Sequence, residues 1–352
     1  KPYSIYCRKK IIEGSTEEVL LDVNQLAEGK EYMAIGIFEV SPDQNILAFS
    51  TDTSGYEQFK LQFKDLTTGK LLPDTIEKTY YSAAWGNDNK TIFYNTVDEA
   101  NRPYRMHRHR LGTPSDADVI VYEEKDDRFF LNIGKTRSEQ YVSISLESAI
   151  TSEIHTIDAD APEGELQVVL PRQQGHEYRM DHHGDHFYIL SNLNAQNFKL
   201  IRTPTHHTGL KHWETVIGHS DTVTLNSIAA FKEHLVLWER AEGLPQLRIK
   251  SLTEIGEEKR IQFDEASYDV WPGTNEQFET DTFRFIYTSM KTPRSVFDYN
   301  MNAHTRVLKK ETPVRDYDRT QYTTERIFAT AKDGTKVPVS IIRKNDVQVN
   351  AS

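Results

Sequence analysis

Histidines gather in three tight groups along this chain: His107 with His109, then His182, His183 and His186, then His206 with His207. His107 and His109 stand two residues apart, a spacing that puts both imidazoles on one face of a strand and could offer them to a metal ion. No Cys or carboxylate follows at a matching ligand spacing, and Arg105, Arg108 and Arg110 crowd the same stretch. Exposed strand residues are therefore expected there, with no metal and no other cofactor. The second concentration of chemistry is acidic: Glu123, Glu124, Asp126 and Asp127 fall together in the run YEEKDDRFF, residues 122–130. Taken alone, such a run reads as a solvated loop. Carboxylates collected on one rim also concentrate cationic ligands by field focusing, so the position of the run decides its meaning.

Several kinds of chemistry have no motif here. The chain contains no G-x-S-x-G nucleophile elbow, no G-x-G-x-x-G turn and no G-x-x-x-x-G-K phosphate loop. A serine nucleophile needs a strained strand-to-helix turn beside an oxyanion hole, and no stretch has the helical periodicity to follow such a turn. No catalytic residue is assigned, and the chain alone is expected not to cleave peptides.

The elements that would position these side chains come from a repeat. A polar turn followed by a short β-branched and aromatic run, ending in a small or polar residue, recurs with its ends at Ser50, Asn95, Ser145, Ser191, Glu239 and Ser289. Those ends are 45, 50, 46, 48 and 50 residues apart. An apolar run precedes each phrase and alternating runs follow it. Four short strands per period, separated by Pro, Gly, Asn and Asp, is the pattern of a propeller blade. A β-sandwich also has short alternating strands but would not repeat at so nearly fixed a spacing. The expected fold is all-β: a seven-bladed β-propeller whose first blade, supplied by Tyr3 to Arg8 and Glu18 to Val23, is incomplete. The period stops after Thr312, and residues 327–344 read as two strands joined at Asp333-Gly334.

In a four-stranded up-and-down blade, the loops between strands two and three emerge on the same face as the links from one blade to the next. That face collects Asp52, Glu57, Glu123, Glu124, Asp126, Asp127 and Glu147 against fewer bases, so an acidic rim suited to basic peptides is expected. The net charge of −11 and pI near 5.7 argue against a nucleic-acid partner. The single cysteine, Cys7, fits a reducing, cytoplasmic setting, and the chain reads as soluble with no membrane partner because no apolar run approaches the roughly 18 residues of a span.

The runs VIVYEEKDDRFFLNIGKTRSEQYVSI (119–144), LPRQQGHEYRMDHHGDHFYILSN (170–192) and YTSMKTPRSVFDYNM (287–301) closely resemble oligopeptidase B, of the prolyl oligopeptidase family of serine peptidases. So do LLDVNQLAEG (20–29) and ATAKDGTKVPVSIIRK (329–344), so the resemblance covers essentially the whole chain. It implies a propeller, residues 1–318, acting as lid and size filter over an α/β-hydrolase domain that cleaves short peptides after Arg or Lys. Residues 319–352 would then be linker and the first hairpin of that catalytic domain, whose Ser, Asp and His are not in this chain. The resemblance also makes Asp52, Glu57 and Tyr80, with the loop from Leu146 to Ile150, candidates for the domain interface or for substrate access. Glu57 closes the D-x-x-G-x-E pattern that begins at Asp52. The alternative class is a free-standing propeller that binds basic peptides or a protein without chemistry.

Overall fold

The computed structural model describes residues 2–253 and 258–347. Short runs of Val, Ile, Phe, Tyr and Thr, punctuated by Asn, Asp, Gly and Pro, produce antiparallel strands almost throughout. The chain divides into two compact units, residues 1–175 and 176–352.

In the first unit, β1 (Ile5–Arg8) pairs with β2 (Glu18–Asp22), which the single-turn helix α1 (Val23–Leu26) follows. A seven-stranded sheet then runs in chain order through β3 (Ala34–Val40), β4 (Ile46–Asp52), β5 (Phe59–Asp65), β6 (Leu71–Trp85), β7 (Thr91–Val97), β8 (Pro103–Arg110) and β9 (Val119–Glu123). A four-stranded sheet closes the unit with β10 (Phe130–Lys135), β11 (Tyr141–Glu147), β12 (Ser152–Asp158) and β13 (Gln167–Leu170).

The second unit holds three four-stranded sheets and a hairpin. They are β14 (Tyr178–His183), β15 (His186–Ser191), β16 (Lys199–Pro204) and β17 (Glu214–Ile217); then β18 (Val223–Ala230), β19 (His234–Ala241), β20 (Leu244–Ser251) and β21 (Glu258–Arg260). The last sheet is β22 (Tyr268–Pro272), β23 (Thr282–Ser289), β24 (Ser295–Asn300) and β25 (Thr305–Glu311), and the hairpin is β26 (Tyr322–Thr330) with β27 (Lys336–Lys344). Residues 348–352, the end of the stretch from 319, lie outside the described residues. Among the described residues no helix is long and apolar enough to cross a membrane.

Each recurring sequence phrase lies on the second strand of a repeat: β4, β7, β11, β15, β19 and β23. The polar residue that ends the phrase has a structural task. Ser50 Oγ accepts the Ile37 N–H at 2.7 Å, and Asn95 Oδ1 accepts the Ser82 N–H at 3.3 Å. Both donors sit where the first strand of the repeat slips register, between Ile35 and Phe38 and between Thr79 and Ala83. A bulge frees an N–H from the ladder, and the phrase-ending side chain satisfies it.

One junction departs from the four-short-strands expectation. β6 runs for 15 residues without a break, pairing with β5 through its first part and with β7 through its last. No Gly, Pro, Asn or Asp stands between Thr75 and Trp85 to end the strand, and the chain turns its corner at Lys78, with φ of 60°.

Successive repeats pack face to face, whether they share a sheet or not. Phe63, Leu61 and Ile76 meet Trp85, Ile92 and Tyr94, while Phe93 and Met106 meet Leu131, Ile144 and Leu146. Phe49, Phe59, Phe63, Phe93, Phe283 and Phe285 are all fully buried, and each contributes about 2 to 3 kcal/mol of apolar burial. The packing leaves no slack at Gly36, where a Cβ would stand 2.8 Å from both the Phe59 ring and Ser50 Oγ.

Candidate functional site

In the first unit, the loops between second and third strands and the links between sheets emerge at one end. Asp52 is buried there and organises the loop after β4. Its carboxylate accepts the N–H groups of Ser54 at 2.7 Å, Gly55 at 3.2 Å and Glu57 at 2.9 Å, and the Ser54 hydroxyl at 2.6 Å. Burial alone would raise its pKa, but these donors outweigh burial and hold the carboxyl below its usual range. Gly55 takes φ of +78°, and Glu57 itself lies in the left-handed region at 57°. The D-x-x-G-x-E pattern is thus a loop wound on Asp52 that presents Glu57.

Glu57 is met by two aromatic hydroxyls from β6. The Tyr80 hydroxyl donates to it at 3.3 Å and the Tyr81 hydroxyl at 2.9 Å, with the two rings 4.6 Å apart. Burial, reinforced by the Glu57 carboxylate, pushes the Tyr81 hydroxyl up to about 12. Tyr81 was not among the sequence candidates, where the resemblance pointed only to Tyr80, and successive strand residues normally point to opposite faces. The register slip between Thr79 and Ala83 removes that alternation and turns both hydroxyls to Glu57.

The acidic run does not form a uniform acidic patch. Glu123 is exposed at the end of β9 and pairs with Arg105 at 2.7 Å. Asp126 pairs with Arg128 at 2.6 Å, and hydrogen bonds from Arg128 hold its carboxyl down at about 2. Glu124 is withdrawn from solvent, with only 4% of its surface exposed. It accepts from Arg172 at 2.5 Å, from the Tyr122 hydroxyl at 3.2 Å and from the Asp126 N–H at 2.8 Å. Arg172 also reaches Glu153 at 3.1 Å and lies 4.0 Å over the Phe129 ring, and His155 Nε2 stands 2.9 Å from the same Glu153. Burial would raise the Glu153 carboxyl, yet hydrogen bonds from His155 and Arg172 carry it down to about 2.

Asp127 and Glu147 are exposed, and neither has an ion-pair partner among the described residues. The same compensation recurs at other rim acids. Asp98 pairs with Arg102 at 2.9 Å, Glu77 with Lys60 at 2.9 Å, and buried Glu239 with Arg248 and Arg260, each at 2.7 Å. Of the seven rim acids named from the sequence, Glu123, Glu124 and Asp126 are ion-paired and Asp52 is spent on its own loop, while Glu57, Asp127 and Glu147 have no ion-pair partner among the described residues.

The histidine pair also needs correction. His109 is buried, with 1% of its surface exposed, rather than an exposed strand residue. Its Nδ1 lies 2.7 Å from Asp118 and its Nε2 3.3 Å from Asp74, while the Tyr94 hydroxyl donates to Asp118 at 2.8 Å. His107 shares its face and stacks on Tyr94 with centroids 5.0 Å apart. A carboxylate stands at each ring nitrogen, and their hydrogen bonds and charge outweigh burial and raise the His109 pKa above its ordinary value. Among the described residues no group of three or more His, Cys, Asp or Glu side chains could hold one.

In the second unit, the corresponding loop end carries the hairpin. The Arg326 guanidinium donates to the Glu242 carbonyl in the β19–β20 turn, and the Ser340 and Ser267 hydroxyls meet at 2.7 Å. The Tyr317 hydroxyl donates to the Lys291 carbonyl in the β23–β24 turn at 2.6 Å. The hairpin also exposes Ile327, Phe328, Val337 and Val339.

Comparison with known proteins accounts for this arrangement. A family model described as "Prolyl oligopeptidase, N-terminal beta-propeller domain" matches residues 1–312. Dipeptidyl aminopeptidase BI of Pseudoxanthomonas mexicana is 39% identical over 334 residues, covering 94% of this chain and 46% of that protein. Protease 2 of Moraxella lacunata is 34% identical over 350 residues, covering 97% of this chain and 50% of that protein. The solved structure of oligopeptidase B from Leishmania major matches with a TM-score of 0.89 at 31% identity, over 99% of this chain and 51% of that one. The chain therefore spans about half the length of these relatives. It belongs to the prolyl oligopeptidase family, and the part it carries is that family's N-terminal β-propeller domain.

Proposed function

We propose that this chain is the propeller lid and size filter of a cytoplasmic serine oligopeptidase that cleaves short peptides after Arg or Lys. The nucleophile, base and oxyanion hole belong to a catalytic α/β-hydrolase domain that is not part of these residues. Residues 1–318 form the propeller in this reading, and residues 319–352 are linker and the first strands of the catalytic domain. The observation that carries it is the hairpin, which rests on the loop end of the second unit while Ile327, Phe328, Val337 and Val339 stay exposed. Apolar side chains at that density on a two-stranded sheet call for a folded neighbour. A free-standing binding module would leave them in water.

In this reading the loop ends face the catalytic domain and carry the uncompensated carboxylates Glu57, Asp127 and Glu147. Asp127 and Glu147 guide cationic peptides by their field. Glu57, with Tyr80 and Tyr81 fixing its carboxylate, serves the interface between domains. The paired acids Glu123, Glu124 and Asp126 contribute little field of their own and shape the loop that presents Asp127.

In the intact peptidase, combining Asp127→Asn with Glu147→Gln is expected to lower kcat/KM for dibasic peptides by about threefold at low salt. The effect should fade near physiological ionic strength, where the Debye length is about 8 Å. Peptides with a single basic residue should respond less. An unchanged kcat/KM at low salt would remove the steering role, and a salt-independent fall in kcat alone would assign these acids to domain closure instead.

A further inference from the structure

The turn that receives Tyr317 is built around one carboxylate. Glu265, half-buried in the link between β21 and β22, accepts the Tyr287 hydroxyl at 3.2 Å, the Ser289 hydroxyl at 2.6 Å and the Thr292 hydroxyl. Ser289 Oγ in turn accepts the N–H groups of Lys291 at 3.1 Å and Thr292 at 2.8 Å, while the Ser289 N–H donates to the Thr292 carbonyl at 3.0 Å. Every one of these bonds is directional, so the Lys291 carbonyl points one way. That carbonyl is the acceptor for Tyr317.

Beyond Tyr317 the connection continues without a gap. The Tyr317 and Tyr322 rings lie 5.6 Å apart, Asp318 caps the next turn through the Thr320 N–H at 2.9 Å, and Arg319 pairs back to Glu311 at the end of β25. Asn345, just past β27, donates to the Thr320 carbonyl at 2.7 Å and accepts the Thr323 hydroxyl at 2.6 Å. The segment between β25 and β26 is otherwise exposed and polar, with Asp316 in the left-handed region at φ of 52°. Without side-chain fastening, such a segment would be a free swivel.

We infer that Glu265 and Tyr317 are positioning residues that clamp the connection between the last sheet and the hairpin, and so set how freely the catalytic domain swings away from the propeller. Glu265 acts through the 289–292 turn, and Tyr317 makes the contact. The coupling to domain motion rests on the peptidase reading; the clamp itself does not.

The linker carries its own reporters, Arg315 and Arg319, both trypsin sites. In the 352-residue chain, Tyr317→Phe removes one hydroxyl and should raise the cleavage rate after Arg315 and Arg319 by about fivefold, the population change expected for one ordinary hydrogen bond. Cleavage after Lys9 and Lys10, which belong to the first unit, should not change. Glu265→Ala should raise linker cleavage at least as much, and Glu265→Gln, which keeps one acceptor oxygen, should fall between. If Tyr317→Phe leaves linker cleavage at the wild-type rate, the clamp is overturned, whatever Glu265→Ala does to the fold. In the intact peptidase, Tyr317→Phe should raise kcat/KM for a ten-residue peptide relative to a dipeptide reporter while leaving kcat on the reporter unchanged. A faster-cut linker with an unchanged ratio would overturn the coupling to substrate access and leave the peptidase reading intact.

Discussion

Replacing Arg172 with Met is expected to destabilise the first unit by about 3 kcal/mol, because it takes the shared guanidinium from two carboxylates in a largely desolvated site and leaves only His155 beside Glu153. Glu124 and Glu153 are 4% and 8% exposed, and Arg172 is the cation that both of them bind. The pH dependence gives the test its sign. Glu153 titrates near 2 in the folded chain, well below its ordinary 4.5. Its contribution is therefore complete above about pH 4.5 and is lost as pH falls toward 2. In the Met variant the Glu153 carboxyl, still desolvated but left with His155 alone, takes up a proton at higher pH. The gap between wild type and variant should be widest near neutrality and shrink on acidification. Calorimetry at pH 7 and pH 4, with hydrogen exchange of β12 to assign the transition, measures it. A difference under about 0.5 kcal/mol at pH 7 would place the cluster with ordinary surface pairs.

His109→Gln should destabilise the same unit by about 2 to 3 kcal/mol at pH 6, with the opposite pH dependence. Burial favours the neutral ring, but hydrogen bonds and charge from Asp118 and then Asp74 outweigh it and raise the His109 pKa above its ordinary 6.5. A group with a raised folded pKa stabilises fully below the unfolded value and loses that contribution as pH rises through the folded one. Glutamine can donate to one carboxylate at a time and carries no charge, so Asp74 and Asp118 lose their shared cation. The wild type should therefore lose stability on the alkaline side more steeply than the variant. Stability curves for the two that stay parallel from pH 6 to pH 9 would show that folding does not shift the His109 pKa.

These two clusters also mark where sequence reading stopped. Arg172 and Glu124 are 48 residues apart, and His109 and Asp74 are 35 apart, so no local pattern links them. The repeat was legible because its unit is local: an apolar second strand ending in a polar residue that serves the strand beside it, as Ser50 serves Ile37. The D-x-x-G-x-E loop was legible for the same reason, since Asp52 binds only its own next few residues. Counting charges along the rim overstated its field, because the count could not see that Arg105, Arg128 and Arg172 each arrive at a named carboxylate. Tyr81 was hidden by a bulge that strand alternation does not announce. Where partners are distant in sequence, residue type shows that a charge exists but not whether it is already answered.

β6 has a mechanical consequence. It passes as one covalent strand from the outer edge of the first complete repeat to the start of the next, whereas a loop at residues 124–129 joins that second repeat to the sheet that follows. Load along the chain at the loop can peel one sheet from its neighbour by opening side-chain contacts in sequence. At β6 the same load runs along a backbone hydrogen-bonded to β5 over one part of its length and to β7 over the other, so both ladders resist in shear together. The first two complete repeats are thus spliced into a single stiff plate, and flexing between complete repeats of this unit is directed to the loop-joined seam beside it, the one that the Arg172 cluster bridges.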